Sequence, residues 1–389
     1  MLDALTPQPP DALLALIKLH RDDPRPDKID LGVGVYRTGQ GDTPVFGAIK
    51  AAEKRLLETQ DSKAYLGPEG DMGFVHALMP YIFGRADFGG RIEGMQTPGG
   101  TGGVRLALGL ASKALVSRVW MGTPSWPNHA QILADLDVEA MTFAHATPAG
   151  TVDMDALRGA IAAASPYDAI LLHGCCHNPT GIDYSPAQWD EIAGLLAAKR
   201  LLPVLDLAYQ GLGQGLEEDA YGVRKVLATV PEALVAYSCD KNFGLYRDRV
   251  GAFYVMADKA DDLATIMSQA HALARANWSM PPDHGAAAVR LVLADEHLTA
   301  QWLDELDTMR ARMRQVRERL ATAGTVGGID LAPVGRQNGL FSVLPLAPQR
   351  IAALRERFGI YMAGSGRINV AGLTTANLDR FVEALAATA

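Results

Sequence analysis

Five short apolar runs of strand length recur along the middle of this chain, with helical periodicity between them. They are Arg118 to Gly122, Val138 to His145, Asp168 to His173, Leu201 to Asp206 and Ala233 to Ser238. Near-continuous apolar strands suit burial on both faces, and helix-length connections permit parallel pairing. The pattern therefore predicts a mostly parallel sheet flanked by helices. One intervening helix reads closely: Ser185 with Gln188 forms a capping box, Pro186 suits the first turn, and Trp189, Ile192, Ala193 and Leu196 make one apolar stripe. Beyond residue 300 the texture changes to a long charged helix, DELDTMRARMRQVRERLATAG, then short strands around Leu340 to Leu344 and Arg367 to Val370, then a terminal helix. The expected organisation is α/β: an N-terminal arm and part of a small domain over 1–44, a large domain over 45–300, and a smaller α/β domain over 301–389.

Composition narrows the partners. With 389 residues, 48% hydrophobic and 21% charged, the chain can bury a large core. A net charge of −8 without basic blocks gives no footprint for nucleic acid or an anionic membrane, so small soluble ligands are expected. Three cysteines, with Cys175 and Cys176 adjacent, make no disulfide framework and fit a reducing compartment. The start, MLDALTPQPPD, lacks the basic cluster of a signal peptide, and no apolar run reaches the roughly 18 residues of a membrane span. A cytoplasmic protein is expected.

Ligands of an open parallel sheet gather at the carboxyl ends of its strands. Trp126, Asn178, Asp206 and Lys241 all follow apolar runs and share that predicted rim. Taken singly, the aspartate reads as a loop cap and the lysine as either a solvated charge or a nucleophile. Pro98 to Arg105, PGGTGGVR, leads into an apolar helix and reads either as a structural turn or as an anion cradle of bare N–H groups. It does not match the dinucleotide fingerprint, because position 105 is arginine, and the chain has no Gly-Lys pair for a P-loop. His173, Cys175, Cys176 and His177 are of metal-ligand type, but adjacent cysteines point apart and no spaced pair completes a site, so no metal is expected.

Nine segments together carry a resemblance: LGVGVYR (31–37), KAYLGPEG (63–70), GGTGGVR (99–105), TPSWPNH (123–129), HGCCHNPTG (173–181), DLAYQG (206–211), SCDKNFGLYRDRVG (238–251), RANWSMPPDHGA (275–286) and SGRINVAGL (365–373). In this order they resemble the aspartate and aromatic amino-acid aminotransferases, which have the type I fold of pyridoxal phosphate (PLP) enzymes. The resemblance implies that Lys241 holds PLP as a Schiff base and moves protons, which requires a neutral amine. It implies Asp206 at the pyridine nitrogen, Tyr209 and Asn178 at the 3′-oxygen, and Trp126 stacked on the ring, with His129 orienting Asp206. Gly100, Thr101, Ser238 and Arg249 would take the phosphate, joined by Tyr65 from a neighbouring subunit; at Gly99 some relatives carry serine. For substrate it implies Gly34, Trp126, Asn178, Arg367 at the α-carboxylate, and Arg275, reaching from the partner, at a second carboxylate. A homodimer with shared sites follows. Cis peptides are implied at Thr123-Pro124 and Asn178-Pro179.

Family members restricted to aspartate often carry asparagine at the positions of Ala64 and Met280, and many relatives carry tyrosine at that of Trp278. The apolar set here favours dual specificity: aromatic amino acids and/or aspartate as donors and 2-oxoglutarate as acceptor, in a ping-pong cycle. The competing readings are a strict aspartate aminotransferase, a lyase of the same fold, and a non-catalytic binding protein.

Overall fold

The computed structural model describes residues 2–7, 12–85 and 87–389. Two units are compact in themselves: Pro44–Arg312, and Met1–Thr43 together with Met313–Ala389.

The larger unit is built on one seven-stranded sheet. In chain order its strands are β1 Ile92–Pro98, β2 Arg118–Thr123, β3 Glu139–Ala144, β4 Ala169–His173, β5 Leu202–Leu207, β6 Ala233–Ser238 and β7 Val250–Met256. Their order across the sheet is β1-β7-β6-β5-β4-β2-β3. The five predicted runs are β2 to β6, and all pairings among them are parallel. β7 runs antiparallel to both β6 and β1, so β1 ends at the same edge of the sheet as β6. β4, β6 and β7 are buried at every position, as strands covered on both faces must be, whereas β3 at the sheet's edge is largely exposed.

The helix Gly99–Lys113 follows β1 and lies on the sheet, burying Val104, Leu106, Leu108 and Leu110. Each such aliphatic side chain contributes about 1.5–3 kcal/mol. Gly103 permits the close approach: a Cβ there would stand 3.1 Å from both Ala236 Cβ and the Ala252 carbonyl oxygen. The helix Pro186–Lys199 carries the expected capping box. Ser185 Oγ accepts from the Gln188 N–H and Gln188 Oε1 from the Ser185 N–H, and Trp189, Ile192, Ala193 and Leu196 are its buried residues.

In the smaller unit Ile29–Asp30 pairs in parallel with Ile360–Tyr361, and Phe341–Val343 pairs antiparallel with Arg367–Asn369. The helices Pro348–Phe358 and Leu378–Ala387 add Leu354, Phe381 and Leu385 to its core. The long charged helix runs over Glu296–Thr322. Its Arg317 is 2% exposed and donates to Ser342 Oγ and to the carbonyls of Val334, Asn338, Gly339 and Phe341. A buried guanidinium is tolerated because these acceptors replace its water. They also fix the turn that presents Phe341. Among the described residues no helix is long and apolar enough to cross a membrane.

Candidate active site

The carboxyl ends of β1, β2, β4, β5 and β6 meet at one edge, and Gly100, Thr101, Trp126, Asn178, Asp206, Ser238 and Lys241 stand on them or just beyond. Register sets His173 of β4 beside Asp206 of β5, and Asp206 beside Ala236 of β6. Past β6 the chain turns through Cys239 to Asn242. The turn is held by Phe243 N–H to the Cys239 carbonyl, Trp302 Nε1 to the Asn242 carbonyl at 2.7 Å, and Phe243 stacked on Trp302 at 4.4 Å. This anchorage aims Lys241 inward. Its side chain is 20% exposed, and its Nζ lies 5.4 Å from the centre of the Tyr209 ring and 3.9 Å from Asp240 Oδ2. Burial lowers the amine's pKa, with Arg249 adding to the effect, against the opposing charges of Asp240 and Asp206.

Asp206 is buried, which works to raise its pKa. The His129 bond and the charges of His129, His173 and Lys241 outweigh burial and hold the carboxyl below its ordinary value. His129 Nε2 lies 2.9 Å from Asp206 Oδ2, and Ser125 Oγ bridges His129 Nδ1 at 2.9 Å and His173 Nε2 at 3.2 Å. His173 in turn packs on His177, with ring centres 4.2 Å apart, and His177 stacks on His145 at 3.6 Å. Trp126 stands edge-on to His129 at 5.1 Å. Asn178 Nδ2 lies 3.4 Å from the Tyr209 hydroxyl, so both can donate toward one oxygen, while buried Asn178 Oδ1 has no partner among the described residues. Thr123-Pro124 and Asn178-Pro179 are both cis.

Gly99 opens the following helix at φ +68°, and a Cβ on Gly100 would come 2.8 Å from Ser238 Cβ. The helix start and Ser238 thus form one cradle of N–H and hydroxyl groups. Arg249, with φ +55°, bonds to Asp240 and to the Tyr246 carbonyl beside it.

The other predicted residues fall into two further groups. In the larger unit Tyr65 is 93% exposed, and the neighbouring Leu66 N–H meets Met280 Sδ at 3.1 Å. That contact joins the Ala64–Tyr65 segment to the loop after Arg275, whose guanidinium bonds to Ser279 Oγ. In the smaller unit Arg367 lies over the Phe341 ring at 4.5 Å and donates to the Gly32 carbonyl at 2.9 Å. A Cβ on Gly34 would come 2.7 Å from the same ring, so Phe341 brings Gly34 and Arg367 together.

Cys175, Cys176 and Asp219 converge within 4.8 Å. The Asp219 oxygens already accept from the N–H groups of Gly211, Gly213 and Gln214, and burial raises the Cys175 thiol well above its ordinary pKa. Both features disfavour a metal.

The chain matches the family Aminotransferase class I and II over residues 26–385. It belongs to that family. A tyrosine aminotransferase from Rhizobium meliloti (strain 1021) is 51% identical over 97% of each chain, and an aspartate aminotransferase from Escherichia coli (strain K12) is 42% identical over 100% of each. Among solved structures, an aromatic-amino-acid aminotransferase from Burkholderia pseudomallei, covalently bound to pyridoxal phosphate, superposes with a TM-score of 0.95. It is 36% identical and matched over 100% of this chain and 99% of its own. This class I and II aminotransferase is thus a transaminase acting on small amino and oxo acids, with PLP as its cofactor.

The residues present fit that cofactor. A desolvated lysine, an ionised aspartate, the paired donors of Asn178 Nδ2 and the Tyr209 hydroxyl, and the cradle at Gly100 and Ser238 match an aldehyde, a pyridinium, a phenolic oxygen and a phosphate. Sequence reasoning missed Ser125, whose hydroxyl joins two histidines, and the place of His173 in that chain. Their only signal was polar residues beside an apolar strand.

Proposed function

We propose that this aminotransferase passes the amino group of aromatic amino acids and of aspartate to 2-oxoglutarate. The reading is carried by the surroundings of Arg275. Among the described residues its guanidinium bonds to Ser279 Oγ, and the nearby Met280 sulfur faces the Leu66 N–H. An arginine without a fixed counter-ion can receive a distal carboxylate, yet can also yield to an aromatic ring among Ala64, Trp278 and Met280.

When bound, PLP supplies an aldehyde that captures amino groups and a ring that accepts the electron pair of a broken Cα–H bond. Lys241 would be the covalent anchor of the cofactor and the base at the substrate α-carbon, roles that need an uncharged amine, which a lowered pKa favours. Asp206, ionised and backed by His129, would keep a proton on the pyridine nitrogen. Tyr209 and Asn178 would hold the 3′-oxygen, and Trp126 would cover the ring. Gly100, Thr101, Ser238 and Arg249 hold the phosphate. Arg367, seated on Phe341 near Gly34, takes the α-carboxylate.

Steady-state kcat/KM for phenylalanine, tyrosine and aspartate tests the substrate assignment. Aromatic donors are expected within about tenfold of aspartate or above it. A preference for aspartate beyond about a hundredfold, near 2.7 kcal/mol of discrimination, would instead establish the strict aspartate reading.

A homodimer is part of the same proposal. Tyr65, Leu57 and Leu66 present apolar surface at 93%, 86% and 42% exposure, and a second copy would cover it while lending Tyr65 and Arg275 to its neighbour's site. Light scattering at assay concentrations should give twice the chain mass, with specific activity falling on dilution as chains separate. A fully active monomer would end this part of the reading. Three buried free cysteines suit the cytoplasm, a placement that cell fractionation tests.

A further inference from the structure

Next to Lys241 stands a carboxylate that the reading above does not use. Asp240 is 1% exposed. Its Oδ2 bonds to the Arg249 guanidinium and lies 3.9 Å from Lys241 Nζ, and its Oδ1 accepts from the Val250 N–H at 3.2 Å. Its own N–H donates to Ser238 Oγ at 3.2 Å. Gly99 leaves the space: a Cβ there would stand 2.5 Å from Arg249 Nη2 and 3.0 Å from Asp240 Oδ2. The carboxylate therefore sits among the groups assigned to the phosphate, on the same arginine and against the same helix start.

We propose that Asp240 is an internal anion of the phosphate cradle, competing for Arg249 and thereby setting how tightly the cofactor is held. The proposal rests on the assignment of Gly100, Thr101, Ser238 and Arg249 to the phosphate. A guanidinium shared with a buried carboxylate offers fewer free donors and less net charge to an incoming phosphate, and two anions so close repel. Asp240 also orients Arg249, and it favours the charged form of Lys241, so the chain trades cofactor affinity for a pre-aimed arginine. Burial raises the Asp240 pKa against the opposing pull of Lys241, Arg249 and the Val250 N–H.

The test uses the full-length protein, freed of cofactor, and two probes: PLP and inorganic phosphate. Asp240→Asn keeps the shape and removes the charge, and Asp240→Ser keeps only a small polar group. Both are expected to bind each probe about tenfold more tightly or better than the parent, read by fluorescence titration and by phosphate competition against PLP. Affinity that is unchanged or weaker in both variants overturns the proposal, the weaker result showing that Asp240 serves Arg249 rather than competing for it. A parent protein that takes up no PLP overturns the functional reading too. A parent that binds PLP while its variants match it overturns this inference alone.

Discussion

Lys241→Ala should lower kcat by roughly 10⁵-fold or more, the order seen when a nucleophile that also works as the base is removed. In the parent protein, borohydride reduction should fix the cofactor to the peptide containing Lys241, and the visible absorption should shift when an amino acid is added. The variant should show neither the trapped peptide nor the parent's band. The effect is large because no neighbour can substitute. Asp240, the adjacent side chain, is an anion bonded to Arg249, and Tyr209 meets the lysine through its ring. A variant retaining more than about 1% of activity would remove Lys241 from the chemistry.

Acid should destabilise the protein as the pH falls from 6.5 toward 4. Burial pushes His145 down to about 4, against the bond to the Ile182 carbonyl. Burial also pushes His173 down to about 3, helped by the charge of His129 and opposed by Asp206. An unfolded histidine takes its proton near 6.5, so below that pH the unfolded chain binds more protons and stability falls with pH until the folded values are reached. At about 1.4 kcal/mol per pH unit the loss is about 3 kcal/mol for His145 and about 5 kcal/mol for His173. Asp219 works the other way: burial pushes it up to about 6, so the folded chain gains about 3 kcal/mol as pH falls from there toward its ordinary value. The net loss remains several kcal/mol. Denaturant midpoints at pH 7, 5.5 and 4.5 measure it, and His145→Gln, which keeps a donor for Ile182, should flatten the slope. Identical slopes in parent and variant would remove His145 from the account.

The strands that the sequence revealed are those whose burial leaves an uninterrupted apolar run, such as AILLH at β4 and ALVAYS at β6. β1, IEGMQTP, was hidden because Glu93, Gly94 and Gln96 break its run, and β7 because its start belongs to a motif read for chemistry. The rim was legible for a related reason: Asp206 and Lys241 each end or follow a run that otherwise admits no charge. The family resemblance supplied roles that spacing alone did not, Asn178 and Tyr209 above all. Asp240 escaped notice because a charge in a turn beside a lysine reads as solvated, and only the fold brings it, 1% exposed, against Arg249. The bridge from Asp206 through His129 and Ser125 to His173 joins three segments distant in sequence, and no local pattern encodes it.

In the larger unit, the reactive side chains are borrowed from the tips of strands and from the loops beyond them, while Leu171, Val204 and Val235 deeper in the sheet do nothing but pack. Stability and selectivity are thereby written in different parts of the same polypeptide. Substitutions at the tips can retune what the enzyme accepts without disturbing its foundation, and the foundation can drift in composition, provided its volume is kept, without the chemistry noticing.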